Sequence, residues 1–285
     1  MIAQLERDPS LMEPRRLWQR VEALDRLEAY LLDAREPVGA TAADAAGLSD
    51  RARGVRASLE AVNDALFEGI RREIRRGAGA GPLLSWASRP GPGGRPTETG
   101  GDRYDDLDVL VAGVLRFELP DVEVGGLAPE MVPYQPTPAR HVFDLIARIA
   151  PAEQDVLVDL GSGLGHVPLL VAACTRARAQ GVESEAAYVE CARCSARALN
   201  LSSATFVHQD ARAADLSRGT IFYLYTPFTG RVLRTILESL EREAAGRRIR
   251  VCTYGPCTRT VAAEPWLGPV GPVEVDRVAV FRSRL

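Results

Sequence analysis

The chain contains no lysine; its 35 basic residues are all arginine. That absence removes Schiff-base chemistry and the lysine that a P-loop requires. Set beside the abundant alanine and glycine, it reads as the codon bias of a GC-rich bacterial genome. Cysteine is also scarce. The five thiols, Cys174, Cys191, Cys194, Cys252 and Cys257, are odd in number and thinly spread, so reduced thiols fit better than a disulfide framework. A formal net charge of -3 provides no basic field to recruit nucleic acid. The opening MIAQLERDPSLMEPRRLW carries charges throughout and has no apolar signal region. No run of about 18 apolar residues follows it. A cytoplasmic protein without a membrane partner is expected.

What remains is a 285-residue chain of 46% hydrophobic composition, enough for one large domain or a core with an appendage. Leu17, Val21, Leu24, Leu27 and Leu31 recur at helical spacing and predict a helix over 13–36. A second stripe, Leu59, Val62, Leu66, Ile70 and Ile74, predicts a helix over 41–76. Arg71, Arg72, Arg75 and Arg76 at its end read as a solvated last turn that complements the helix dipole. Residues 77–101 are rich in Gly and Pro and aperiodic, as in a linker or flap, with Leu83, Leu84 and Trp86 able to pin its middle. A short helix is expected near 103–116, then an irregular connection to about 136. Thr137–Pro138 reads as an N-cap and first helical residue, opening a helix to Ile149.

Beyond that point apolar segments alternate with helical ones. Strands are expected at 155–160, 178–183, 204–208, 219–225 and 248–254, and helices at 165–176, 185–199 and 229–245. The alternating tail 272–283 is expected to supply the last strands. This alternation implies an α/β fold: a doubly wound, mostly parallel sheet with an N-terminal helical extension. The division expected is a helical region over 1–125 and a Rossmann-like domain over 126–285.

In such a sheet the ligand site lies beyond the carboxyl ends of the strands, at the switch point. The loop after the first strand, VLVDLGSGLGH, places Asp159 ahead of Gly161, Ser162, Gly163 and Gly165. The glycines let backbone amides approach a ligand. Their G-x-G-x-G spacing leaves His166 where a dinucleotide fingerprint needs its last glycine. A carboxylate at the mouth suits an ammonium or sulfonium better than a pyrophosphate.

The loop VLVDLGSGLG resembles the first motif of class I S-adenosylmethionine-dependent methyltransferases, and the likeness extends over about 130–260, roughly half the chain. The resemblance implies S-adenosyl-L-methionine as cofactor. It implies that Glu183, 22 residues after Gly161, binds the ribose hydroxyls. It further implies that Asp210 accepts from the adenine amine, that the backbone N–H of Ala211 meets the ring, and that Tyr225–Thr226–Pro227–Phe228 closes the pocket near the methyl group. YQPTP resembles a segment in which a tyrosine and a threonine reach the methionine carboxylate; here these are Tyr134 and Thr137, the latter equally readable as a plain N-cap.

Tyr225, Tyr254 and His166 are the candidate catalytic side chains if the acceptor must lose a proton, and Tyr225 and Phe228 can face the sulfonium. Thr-Pro-Phe after Tyr225 weighs against methylation of adenine N6 or glutamine, where Asn/Asp-Pro-Pro-aromatic is usual in the family. A small molecule or a protein side chain is the expected acceptor, with the N-terminal helices covering the pocket, selecting the acceptor or forming a dimer surface. Cys191 and Cys194 form C-x-x-C inside a predicted helix, and Cys252 and Cys257 are spaced differently; core thiols and no metal are expected. His208 reads as structural, and the facing of His141 is open. A nicotinamide oxidoreductase and a non-catalytic S-adenosylmethionine-binding module are the alternative readings.

Overall fold

The computed structural model describes residues 1–33, 42–77, 81–89, 104–117 and 129–284. Among the described residues the α-helices α1 (Ile2–Glu6), α2 (Leu17–Asp33), α3 (Ala42–Arg75), α4 (Gly81–Ala87) and α5 (Asp106–Leu115) come first. Alternating elements follow: α6 (Ala139–Ile149), β1 (Val156–Leu160), α7 (His166–Cys174), β2 (Arg178–Glu183), α8 (Ala186–Ala198), β3 (Ala204–His208), β4 (Ile221–Tyr225), α9 (Gly230–Gly246) and β5 (Arg250–Tyr254). A short α10 (Cys257–Ala262), β6 (Leu267–Pro269) and β7 (Ala279–Ser283) complete the chain.

The seven strands lie in the order β3-β2-β1-β4-β5-β7-β6. β1 through β5 pair in parallel, and β7 runs antiparallel between β5 and β6. The chain winds from β1 toward β2 on one side and later returns to β4 on the other. The switch point therefore falls between the carboxyl ends of β1 and β4, where a crevice opens. Central strands are buried on both faces, which explains their apolar composition.

One face of the sheet packs against α6, α7 and α8. Leu17, Ile70, Leu83, Leu110 and Val114 of the N-terminal helices join Val142, Leu169 and Tyr223 in the same cluster of buried side chains. The opposite face carries α9, with Leu233, Ile236 and Leu240 against Phe222 and Leu224. A smaller cluster of Ile2, Leu11, Leu27 and Leu59 lies at the outer end of the helical extension. At its centre Arg20 is wholly buried. Its Nε donates to Asn63 Oδ1 at 2.6 Å, Nη1 to Leu11 O at 3.0 Å and to Glu13 O, and Nη2 to Pro14 O at 3.1 Å.

Several expectations need correction. Pro138 is the N-cap of α6, and Thr137 caps nothing; its Oγ1 hydrogen-bonds Tyr223 OH at 3.0 Å in the interior. The cap of α6 comes from α5 instead, where Asp108 Oδ1 accepts from Ala139 N at 2.7 Å. The Gly/Pro-rich stretch holds the helix α4, with Leu83 buried, Leu84 exposed and Trp86 packed on the core. The rest of that stretch from 90 to 101, residues 78–80, the end of the first predicted helix at 34–36 and the division at residue 125 lie outside the described residues. Arg71 is not solvated; it is buried and donates to Val114 O at 2.8 Å, while Arg75 donates to Ala198 O at 2.8 Å on the last turn of α8. Cys194 is exposed, so the thiols are not uniformly core. The tail supplies only β7, since β6 precedes residue 272. His141 faces inward, 1% exposed. Among the described residues no helix is long and apolar enough to cross a membrane.

Candidate functional site

The glycine loop is held open by its neighbours. Gly161 N and Ser162 N both donate to Val182 O at the end of β2, at 2.9 and 3.1 Å. Gly161 has φ +86°, and a Cβ there would stand 2.4 Å from Cβ of Pro227. Gly163 has φ +52°, and a Cβ there would fall 2.1 Å from Cε2 of Tyr134. Both positions thus need glycine twice over, for backbone conformation and for space.

Two other segments close on this loop. Thr226, with φ +40°, is a strained residue. Its Oγ1 donates to Tyr254 O and accepts from Cys257 N, each at 3.1 Å. This pinned turn presses Pro227 onto Gly161 and turns Phe228 inward. Residues 130–135 then cross as a strap. Met131 bridges Phe228, Val132 N donates to Pro227 O at 3.1 Å, and Thr229 N donates to Glu130 O at 2.8 Å. The Glu130 carboxylate caps α9 by accepting from Val232 N at 3.0 Å. At the other end Tyr134 lies over Gly163, packs against Tyr188 at a 5.1 Å centroid distance, and reaches His166 Nδ1 at 3.2 Å.

Beneath the strap lies a cavity of about 680 Å³, lined by Tyr134, Gly161, Glu183, Tyr188, Asp210, Ala211 and Phe228 among others. Its size is that of a small-molecule site. Glu183 ends β2 with both oxygens oriented: Oε2 accepts from Gly163 N at 2.8 Å, and Oε1 from Glu185 N at 2.9 Å. Asp210, after β3, accepts from Arg212 N at 2.8 Å and from the Arg212 guanidinium, whose Nη2 lies 2.5 Å from Oδ2. The Arg212 fork is the main reason that this carboxyl is held below its ordinary range.

Of the residues singled out in the sequence, Tyr134, Gly161, Glu183, Asp210, Ala211, Pro227 and Phe228 share this cavity, whereas Tyr225, Tyr254 and His166 do not line it. Ser162, Gly163 and Gly165 form the loop behind it. Asp159 lies one layer below, 4% exposed, in register between Gly181 and Tyr223. Burial, reinforced by Glu183, pushes its carboxyl well above the usual range. Thr137 is spent on Tyr223. Tyr225 is half-buried and stacks on the fully buried Tyr254 at 4.6 Å, which in turn stacks on His141 at 4.3 Å. His166 opens α7 beside Phe117, ring centroids 4.4 Å apart, and desolvation pulls it down to about 4. His208 is exposed, its Nε2 3.0 Å from Ser184 O. Among the described residues no group of three or more His, Cys, Asp or Glu converges as a metal site.

Sequence reasoning missed Tyr188, Glu130 and Arg212. Tyr188 carried a readable signal, an aromatic in the first turn of the helix after Glu183. The other two depend on contacts that no local pattern announces.

The arrangement can hold a ligand bearing vicinal hydroxyls and an amine-substituted ring, and acidic walls disfavour a phosphate. No protein-family model and no curated protein matches the sequence. Solved structures similar to this chain include methyltransferases. An RNA methyltransferase from Salinibacter ruber, in complex with S-adenosyl-L-homocysteine, is 25% identical over 52% of this chain and 92% of that one, at a TM-score of 0.42. The putative methyltransferase yhhF from Escherichia coli is 20% identical over 59% and 91%, at 0.43. The Pyrococcus abyssi tRNA (uracil-54, C5)-methyltransferase, also with S-adenosyl-L-homocysteine, is 19% identical over 52% and 39%, at 0.37.

Proposed function

We propose that this protein is an S-adenosyl-L-methionine-dependent methyltransferase. The observation that supports this most is the meeting of Glu183 and Asp210, from adjacent strand ends, with the backbone at Gly161 around one cavity. In this reading Glu183 accepts from both ribose hydroxyls, beside the bonds it accepts from Gly163 N and Glu185 N, with the Ser184 hydroxyl, 3.3 Å from Oε1, free to rotate away. Asp210 accepts from the adenine amine, and the N–H of Ala211 faces the ring. Tyr134 closes the amino-acid end under the strap. Asp159 ionises to balance the donor's positive charge, a role for which its present burial leaves it without a counter-ion.

When bound, the donor supplies a methyl group already activated on sulfur. The protein's own contribution is alignment of that carbon with the incoming nucleophile, and exclusion of water. Phe228, which lines the cavity, offers an aromatic face to the sulfonium. Tyr225 is the side chain proposed to meet the acceptor, Tyr254 supports its ring, and His166 is a neutral polar contact. The proposed acceptor is a small molecule or a protein side chain. Glu183, Glu185 and Asp210 around the cavity, with a net charge of -3, would repel a polyanion.

Calorimetry tests the reading. S-adenosyl-L-methionine and S-adenosyl-L-homocysteine are expected to bind at sub-millimolar concentration and NAD not at all. Failure of both sulfur ligands to bind overturns it, and binding of NAD alone would favour the oxidoreductase. Incubation with labelled donor and cell extract then separates an enzyme from a binding module, which would bind the donor and label nothing.

A further inference from the structure

Arg212 does not line the cavity, yet it holds the carboxylate of Asp210, which does. Asp210 is the N-cap of a short 3-10 turn, Ala211–Ala213, and its Oδ1 accepts from Arg212 N at 2.8 Å. That bond restrains the first side-chain torsion. The guanidinium then approaches the same carboxylate edge-on. Nε lies 3.0 Å from Oδ1 and 3.1 Å from Oδ2, and Nη2 lies 2.5 Å from Oδ2. Two donors in a fixed fork restrain the carboxylate plane, which one ammonium cannot do. Asp210 lines the cavity and Arg212 does not. The same guanidinium is attracted by Glu130, the residue from which the strap leaves α9.

We infer that Arg212 is a positioning residue for base specificity: by fixing the plane of the Asp210 carboxylate, it makes the cavity select a 6-amino purine over a 6-oxo purine. An ionised carboxylate only accepts hydrogen bonds. An exocyclic amine presents a hydrogen to it, whereas an exocyclic oxygen presents a lone pair. Sites that satisfy a ligand's donor reject the analogue that lacks it strongly. Selection on this basis depends on where the oxygens point, and the fork determines that. An exposed ion pair by itself contributes little to stability, so the fold is not expected to depend on Arg212. The inference rests on the donor-binding reading given above.

The experiment compares binding of S-adenosyl-L-homocysteine and S-inosyl-L-homocysteine to the wild-type chain, Arg212→Ala and Arg212→Lys, with thermal unfolding of each. The wild-type chain is expected to prefer the adenosyl ligand. Arg212→Ala is expected to lower the adenosyl-to-inosyl affinity ratio by roughly three- to fivefold at unchanged unfolding temperature, the range an exposed charge pair can supply. Arg212→Lys, which keeps the charge and loses the fork, is expected to behave like the alanine variant. An unchanged ratio in Arg212→Ala, with the wild-type chain binding the adenosyl ligand, overturns the inference alone, as does full rescue by lysine. A wild-type chain that binds neither ligand overturns the donor-binding reading and the inference with it.

Discussion

The phenol oxygen of Tyr134 lies 3.2 Å from Nδ1 of His166, and the tautomer of the ring decides which of the two donates. An O–H donated by the buried phenol to Nδ1 would place the ring proton on Nε2.

A pH dependence follows. The folded-state pKa of His166 is depressed to about 4 by desolvation. Between that value and the ordinary 6.5, the unfolded chain binds the extra proton and the folded chain does not. The stability His166 permits is complete above pH 6.5 and is lost as pH falls toward 4, by roughly 3 kcal/mol at most. Nitrogen-15 shifts of His166 are expected to show an Nε2–H ring that stays neutral at pH 5.5. A ring titrating near 6.5 would contradict the assignment.

Asp108 works in the opposite sense. Burial raises it to about 6, although Ala139 N and Asp105 N both donate to it. Here the folded chain holds the extra proton between 3.8 and 6, so stability falls as pH rises through that window, by roughly 3 kcal/mol. The two slopes oppose each other between pH 4 and 6. Denaturant unfolding of Asp108→Asn over that range is expected to reveal a steeper loss toward acid than in the wild-type chain. A parallel pH curve would remove this account.

Asp159→Asn separates stability from binding. The buried carboxyl has no cation beside it among the described residues, and Glu183 opposes its ionisation. The neutral variant is expected to unfold at a higher temperature without ligand, and to bind S-adenosyl-L-methionine at least roughly tenfold more weakly, the equivalent of about 1.4 kcal/mol. Weaker binding together with lower stability would point to a structural role only.

Gly163→Ala tests the close approach of Tyr134. The added methyl meets the Tyr134 ring and a positive φ together. A cost of roughly 1–3 kcal/mol is expected. In a Tyr134→Ala background the steric share vanishes and only the backbone share remains, so a double-mutant cycle should show coupling. Additive costs would mean that the ring moves aside freely.

Arg20→Met leaves Leu11, Glu13 and Pro14 with carbonyls that lose their donors. Denaturation is expected to show a loss of roughly 2–4 kcal/mol, summed over several orphaned buried acceptors. Arg20→Lys should restore only part of it, because one ammonium cannot reach every acceptor that the guanidinium serves. Full restoration by lysine would show that charge alone matters.

Much of the sheet was readable because its strands are buried on both faces. VLVDL and IFYLY, for example, are apolar runs buried along almost their whole length. Glu183 and Asp210 were readable as acids at strand ends. What escaped depends on partners far along the chain. Thr137 looks like a cap, but its hydroxyl finds Tyr223, 86 residues on. Arg71 looks solvated, yet it crosses to Val114, 43 residues away. The elements α10 and β6, of six and three residues, are too short to show a period. Both depend on distant partners: Cys257 N at the start of α10 donates to Thr226 Oγ1, and β6 pairs with β7.

The strap at 130–135 is fastened twice, to the start of α9 on one face of the sheet and above the loop that feeds α7 on the other. A tether with two anchors transmits tension. Whatever lodges beneath it draws on helices from both layers at once, so occupancy should slow amide exchange in α9 as much as in α7, though only one of them borders the glycines.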